Sequence, residues 1–167
     1  MERPQRKPTR LKDYDYSNAG VYFVTVCVKD RKALLGKTVG EGFHALPKTQ
    51  LTDIGLKVKD AIEFIDVQYQ NISVDNFVIM PNHIHLLVRY EPPTGGRGNP
   101  PLQDVIARFK SFTTHQYGKP LWQRSFIDYI IRNERDYIEH YTYIENNPIK
   151  GNLMNCIQNN KNKRGRN

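Results

Sequence analysis

Residues 77–90, FVIMPNHIHLLVRY, constrain the fold more than any other stretch of this sequence. Two strand-type runs, SVDNFVIM and IHLLVRY, are separated only by the Pro81-Asn82 turn. Apolar and β-branched runs bounded so closely by turn residues are typical of a β-hairpin. A β-hairpin is therefore predicted near the middle of the chain, and the other strands and helices must pack against it.

The second of these strands begins with two histidines, His83 and His85. Residues i and i+2 of a strand share one face, so the two imidazoles point the same way and form a ready pair of metal ligands. The alternative is a pair of neutral histidines whose nitrogens are satisfied by the backbone of a half-buried strand. The spacing alone leaves both interpretations open, and other features of the sequence have to decide between them.

The remaining elements follow from hydrophobic periodicity and turn residues. GVYFVTVCV at 20–28 predicts a first strand, and residues 33–50 are predicted to be loop. Thr52 is a possible N-cap of a first helix, whose apolar residues recur at helical spacing as far as Tyr69. Leu102 to Phe112 predicts a second helix, and SFIDYIIR at 125–132 a fourth strand.

A third helix is predicted after the fourth strand, with Asn133 as N-cap, Asp136 at its third position and Pro148 at its end. The order β-α-β-β-α-β followed by α predicts an α+β fold of the ferredoxin-like type. In that fold two helices pack on one face of a four-stranded antiparallel sheet. The other face is left for a ligand or for the third helix.

A helical wheel divides the third helix into two sides. One side is apolar and is expected to face the core; it contains Tyr137, Ile138, Tyr141 and Ile144. The opposite side is polar; it contains Asp136, Glu139, His140, Tyr143 and Asn147. Tyr143 and Asn147 lie one turn apart there, so a hydroxyl and an amide face the same space.

Charge and composition narrow the class of protein. The chain has 167 residues, 38% of them hydrophobic, which is the size and composition of one globular domain. The net charge of +8 comes from the two ends, residues 1–12 and 161–167. Basic ends around a neutral middle suit a polyanion such as nucleic acid. No apolar run is long enough to span a bilayer and two scattered cysteines suit a reducing compartment, so we expect a cytoplasmic protein without membrane contact.

Three stretches together, MPNHIHLLV, LWQRSFIDYIIRNERDY and YIENNPIKGNL, resemble the single-tyrosine transposases of the HUH nuclease superfamily. The most similar subgroup is the REP-associated tyrosine transposases, which are related to insertion-sequence transposases. The resemblance covers about residues 14–155. Together with the charge distribution it predicts a catalytic domain at 13–155, preceded by a basic N-terminal arm at 1–12 and followed by a basic, disordered tail at 156–167.

The resemblance also implies site residues and a reaction. His83 and His85 would bind a divalent cation, Mg²⁺ or Mn²⁺, with Asn147 as third ligand, and Tyr143 would be the nucleophile; Tyr137 is a second candidate nucleophile. The family reaction joins the tyrosine to the 5′ phosphate of a cut single strand and leaves a free 3′ hydroxyl. No nucleotide cofactor is needed, because the covalent bond keeps the phosphodiester energy for rejoining.

The implied substrate is single-stranded DNA beside a repetitive extragenic (REP) hairpin. Four basic residues are candidate phosphate contacts: Arg108, Lys110, Arg124 and Arg132. Since the subgroup is described as monomeric and related insertion-sequence enzymes as dimeric, we expect a monomer, with a homodimer as the alternative.

Two other functions are compatible with the same predicted fold. A non-catalytic RRM-like module would stack bases on aromatic residues of the sheet, and Tyr22, Phe23 and Phe77 are the candidates for that platform. A metal-dependent hydrolase would use the histidine pair without a covalent intermediate. The RRM-like module does not explain why the histidines are accompanied by Tyr143 and Asn147. A trapped protein–DNA adduct would distinguish a transposase from the hydrolase.

Overall fold

A four-stranded antiparallel sheet lies at the centre of the fold. The structure, a computed structural model, describes residues 11, 13–39, 48–94 and 97–150, and for residues 148–150 it describes the backbone only. The strands of the sheet are β1 (Gly20–Cys27), β4 (Ile72–Met80), β5 (His83–Tyr90) and β6 (Ile127–Ile131), and they pair in the order β4-β5-β1-β6. The predicted arm and tail, and Cys156, fall almost wholly outside the described residues.

Three helices cover the two faces of this sheet. They are α1 (Asp53–Gln68), α2 (Leu102–Tyr117) and α3 (Glu134–Lys150). The larger apolar core lies between the sheet and the first two helices, where it includes Val24, Leu86, Ile62 and Ile106. A smaller core lies on the opposite face, where Ile144 of α3 packs with Phe23 and Leu87. The predicted α+β fold of the ferredoxin-like type is confirmed, together with the extra C-terminal helix.

The region 33–50 differs from the prediction, because it is not all loop. It contains β2 (Gly36–Val39) and β3 (Lys48–Leu51), which pair with each other as a small antiparallel hairpin. Both strands are four residues long and mostly exposed, so they lack the apolar alternation that identifies a strand in a sequence. This hairpin leads into α1, whose predicted N-cap is confirmed by a 3.2 Å hydrogen bond from Gly55 N to Thr52 Oγ1.

Gly55 fixes how closely the start of α1 approaches the hairpin. A Cβ atom at this position would lie 2.0 Å from the carbonyl oxygen of Leu35 and 3.2 Å from Leu51 Cβ. The carbonyl oxygen belongs to backbone that is itself held by a 3.0 Å hydrogen bond from Thr52 N. An added methyl group therefore cannot be accommodated by a side-chain rotation.

Gly55→Ala is expected to lower the free energy of unfolding by about 3 kcal/mol, the upper part of the range for overpacked sites. Gly98→Ala is the matched control, because a Cβ there meets nothing within 4 Å. It should change stability by less than about 1 kcal/mol. Urea unfolding followed by circular dichroism measures both, and equal stability of the two variants would contradict the close packing at Gly55.

Candidate active site

His83 and His85 lie at the start of β5, side by side on the face of the sheet that α3 covers. Their ring centroids are 4.7 Å apart, and the two residues are 5% and 0% exposed. They pair across the sheet with Cys27 and Thr25 of β1. The prediction that both imidazoles share one face is confirmed. Their burial leaves open whether they are ligands or satisfied core residues, which depends on the partners of their ring nitrogens.

One nitrogen of each imidazole is held and the other is not. Nδ1 of His83 is 2.7 Å from Asn82 Oδ1, and Nδ1 of His85 is 2.8 Å from Thr25 Oγ1. An amide oxygen can only accept, so Nδ1 of His83 carries the proton; Nδ1 of His85 carries it when the Thr25 hydroxyl, which can accept or donate, accepts. Both Nε2 atoms are buried, and among the described residues neither has a hydrogen-bond partner. An Nε2 lone pair on each of two neighbouring rings, with an orienting partner behind each ring, is the arrangement of metal-binding histidines.

The protonation state agrees with that arrangement. Burial, together with the positive charge of Arg31, lowers the pKa of His83 to about 4. Burial also lowers the pKa of His85 well below its usual value, with smaller contributions from His83 and His140. Both imidazoles are therefore neutral at neutral pH, as a metal ligand has to be.

Helix α3 brings Tyr143 and Asn147 to the same face of the sheet. The ring of Tyr143 is half-buried, with its centroid 5.4 Å from that of His85 and 6.0 Å from that of Phe23. Asn147, one turn further along, is 5% exposed, and none of the residues that the structure describes provides a hydrogen-bond partner for its buried Nδ2. Because the nitrogen and oxygen of an amide are assigned from their partners, the orphaned position suits the carbonyl oxygen equally well.

One prediction about α3 is wrong and a second holds only in part. The helix does not end at Pro148 but continues to Lys150, since a proline in the last turn removes only one hydrogen bond. On the apolar side of the wheel Ile144 is buried as expected, at 2% exposed, but Tyr141 is 38% and Ile138 55% exposed. The polar side also packs on the sheet: Asp136 and Asn147 are buried there, and His140 and Tyr143 are half-buried.

A polar cluster fixes the N-terminal half of α3 to the far end of the hairpin. A β-bulge between Val74 and Asn76 presents Asp75, which forms a bidentate ion pair with Arg89. Tyr137 Oη donates to Asp75 Oδ2 at 2.9 Å, and the Arg89 guanidinium lies 5.4 Å from the Tyr137 ring centroid. These contacts occupy the hydroxyl of the second candidate nucleophile and hold α3 in register with the histidine pair.

His83 and His85 need a third ligand to bind a divalent cation, and the candidate from α3 is the side-chain amide of Asn147. Within the described ranges, no group of three or more His, Cys, Asp or Glu side chains could hold a metal ion. The two Nε2 atoms and the amide of Asn147 would supply three ligands, one of them oxygen. Such a set leaves coordination positions open for water and phosphate oxygens.

Comparisons with known proteins relate this chain to transposases. No protein-family model matches the sequence. An uncharacterized protein of Haemophilus influenzae is 34% identical over 165 residues, covering 86% of this chain and 88% of its own length. The REP-associated tyrosine transposase of Escherichia coli is 28% identical over 137 residues, covering 81% and 70%. A solved structure of a REP-associated tyrosine transposase bound to a REP hairpin has a TM-score of 0.61 at 25% identity, covering 87% and 76%.

This chain belongs to the REP-associated tyrosine transposases. It is thus related to transposases, enzymes that process DNA. No helix in the part of the chain that the structure describes is long and apolar enough to cross a membrane.

The four predicted phosphate contacts do not form one surface. Arg108 lies on α2, in the helix layer on the opposite side of the sheet from the histidines. Lys110 donates to the carbonyl oxygens of Gln123 and Arg124, at 2.7 and 2.9 Å, and so braces the segment before β6. Arg124 lies near the histidine end of β1, because its neighbour Gln123 donates to Cys27 O. Arg132 follows β6 at the other end of the sheet.

The aromatic platform of an RRM-like module is absent from the sheet surface. Tyr22 is fully buried and belongs, with the half-buried Phe77, to the core under α1 and α2. Phe23 is on the other face, but it is 2% exposed and covered by α3. None of the three rings can stack on a base without removal of a helix. Tyr22, Phe23 and Phe77 therefore do not form the exposed platform that an RRM-like module needs.

The sequence interpretation also missed a basic turn beside the histidines, residues 29–32. Lys29, Arg31 and Lys32 are exposed, and Asp30 and Arg31 have positive φ angles of 56° and 53°. The turn is tied to the residue before His83 by a 2.9 Å hydrogen bond from Val28 N to Asn82 O. Strained backbone of this kind persists where the surroundings enforce it. In the sequence its cations are indistinguishable from ordinary surface charge.

Proposed function

We propose that this chain cleaves and rejoins single-stranded DNA beside REP-type hairpins through a 5′-phosphotyrosine intermediate formed on Tyr143. The observation that carries the proposal is the contact between the Tyr143 ring and His85, one of two neighbouring histidines whose buried Nε2 atoms have no partner among the described residues. The site therefore combines a phenol with two neutral imidazoles, each of which has one nitrogen available to a ligand. This combination is what a metal-assisted attack on phosphate requires.

His83 and His85 would hold Mg²⁺ or Mn²⁺ through Nε2, and Asn147 through its amide oxygen. A bound divalent cation would polarise the scissile phosphate and offset the negative charge of the attack. Thr25 and Asn82 keep both imidazoles in the tautomer whose Nε2 lone pair is free. The network of Asp75, Arg89 and Tyr137 keeps α3, and with it Tyr143, at a fixed position over the sheet.

The transfer exchanges one phosphate ester for another. Tyr143 Oη forms a bond to phosphorus while the bond from phosphorus to the 3′ oxygen breaks. The proton of the phenol is lost, and the departing 3′ oxygen gains one. The product is a 5′-phosphotyrosine on the downstream strand and a free 3′ hydroxyl on the upstream strand, and the reverse reaction rejoins them.

The substrate follows from family membership and charge. The solved relative is bound to a REP hairpin, and this chain carries a net charge of +8. Among the described residues, the basic side chains of the turn at 29–32 and Arg124 lie near the histidines. They would contact the phosphates of a single strand that enters the site. These contacts would be salt-dependent, since each neutralised phosphate releases counterions.

Arg31→Gln is expected to weaken hairpin binding about tenfold and to reduce the salt slope of the affinity by about 1. Arg108→Gln removes the same charge from the opposite layer and should have a smaller effect on both quantities. Fluorescence anisotropy with a hairpin carrying a single-stranded extension, at several salt concentrations, measures both. A larger effect of Arg108→Gln would place the DNA on the α1–α2 side instead.

The proposed reaction is tested with synthetic REP-type hairpins labelled at either end, in Mn²⁺ or EDTA. The expected result is a protein–DNA adduct that withstands denaturation, forms only with the cation and carries only the 3′ label. Cleavage without an adduct would indicate the metal-dependent hydrolase. Binding without cleavage on every hairpin tried would indicate a non-catalytic module.

A further inference from the structure

His140 lies on the sheet-facing side of α3, one turn before Tyr143, and no step described so far uses it. Its ring is stacked on Tyr129, with centroids 4.9 Å apart and planes at 17°, and lies 4.9 Å from the Phe23 ring. Its side chain is 13% exposed. An aromatic residue would fill this place equally well, so the choice of an imidazole needs a reason.

The nitrogens of His140 have a defined arrangement. Nδ1 is 2.7 Å from the backbone oxygen of Asp136 and 3.2 Å from Asp136 Oδ1. Both oxygens can only accept, so Nδ1 carries a proton, and in the neutral ring Nε2 has the free lone pair. Asp136 is itself held, since Arg132 N donates to its Oδ2 and its own N donates to Asn133 Oδ1. A carboxylate, an imidazole and a phenol thus follow one another at successive turns of a single helix face.

Phe23 brings the three functional rings together. Its centroid lies 5.2 Å from that of His85, 4.9 Å from that of His140 and 6.0 Å from that of Tyr143. Side chains at i and i+3 of a helix are neighbours, so His140 and Tyr143 are adjacent along α3 as well as through Phe23.

We propose that His140 is the general base of the reaction, oriented by the hydrogen bond from its Nδ1 to the backbone oxygen of Asp136. This proposal rests on the proposed function. During cleavage Nε2 of His140 accepts the phenolic proton of Tyr143 as the bond from Oη to phosphorus forms, and the departing 3′ oxygen takes a proton from water. During rejoining His140 returns the proton to Tyr143. Since a free tyrosine has a pKa near 10, a base beside it increases the rate at neutral pH.

His140→Ala tests the proposal in single-turnover adduct formation with the labelled hairpin and saturating Mn²⁺. We expect the rate to fall about 10²- to 10⁴-fold, with hairpin affinity and Mn²⁺ affinity unchanged. Added imidazole should restore part of the rate, and the restored rate should increase with the basicity of the imidazole derivative used. His115→Ala is the control, because His115 is exposed on α2 in the other layer.

The outcomes separate this proposal from the proposed function. An adduct formed at the wild-type rate by a folded His140→Ala variant would overturn the role of His140 alone. A slow variant that no imidazole rescues would show that His140 only packs between Phe23 and Tyr129. If His140→Ala does not fold, His140→Gln retains a polar planar side chain and must show the same slow rate. Absence of an adduct in the wild type would instead overturn the proposed function.

Discussion

Tyr143→Phe is expected to abolish the protein–DNA adduct, with a loss of at least about 10³-fold in adduct formation, because it removes only the attacking oxygen. The ring and its contacts with His85 and Phe23 remain, so the variant should fold and bind the hairpin as the wild type does. The measurement is the fraction of 3′-labelled strand that stays with denatured protein after a single turnover. Retained hairpin affinity separates lost chemistry from lost structure.

Two neighbouring tyrosines provide matched controls. Tyr141→Phe changes an exposed hydroxyl two residues away and should leave adduct formation unchanged. Tyr137→Phe removes the hydrogen bond to Asp75, so it should cost about 1 kcal/mol of stability while the adduct still forms. An adduct that persists in Tyr143→Phe but disappears in Tyr137→Phe would assign the nucleophile to the other tyrosine and contradict the proposed site.

The central fold was predictable because its strands and helices carry the patterns of buried elements. The run from Gly20 to Cys27 and the hairpin around Pro81 are apolar on the core face, and Thr52 marks the start of α1. The β2–β3 hairpin was missed because its exposed four-residue strands bury almost nothing. Periodicity reports burial, and an element that buries little leaves no pattern.

The same reasoning explains the error in α3. A wheel assigns the polar side to solvent, which holds when polar groups have no partner inside the fold. Here the sheet offers the histidine pair and Phe23, so His140 and Tyr143 of the polar side pack inward beside Ile144, and Tyr141 turns outward. Asp136, His140, Tyr143 and Asn147 are spaced by three or four residues, and that spacing was the available signal. Phosphate contacts were harder to predict, because charge along a sequence does not tell which face it occupies.

The double variant Thr25→Val/His85→Leu is expected to separate a metal ligand from a structural core histidine. In EDTA the wild type leaves His85 Nε2 buried and unpartnered, which costs about 1–3 kcal/mol. Replacing both members of the hydrogen-bonded pair with apolar groups of similar shape removes that cost without orphaning Thr25. The metal-free variant should therefore unfold at the same temperature as the wild type or higher.

Adding Mn²⁺ should make the wild type more stable than the double variant. A ligand that binds only the native state stabilises it, by about 2.7 kcal/mol at a hundred times the dissociation constant. The wild type should gain that stability, whereas the double variant, with one imidazole lost, should gain little. Thermal unfolding of both proteins in EDTA and in Mn²⁺ gives the four unfolding temperatures to be compared. Equal stabilisation of both by Mn²⁺ would place the cation elsewhere, and a variant much less stable in EDTA would make His85 a structural residue of the core.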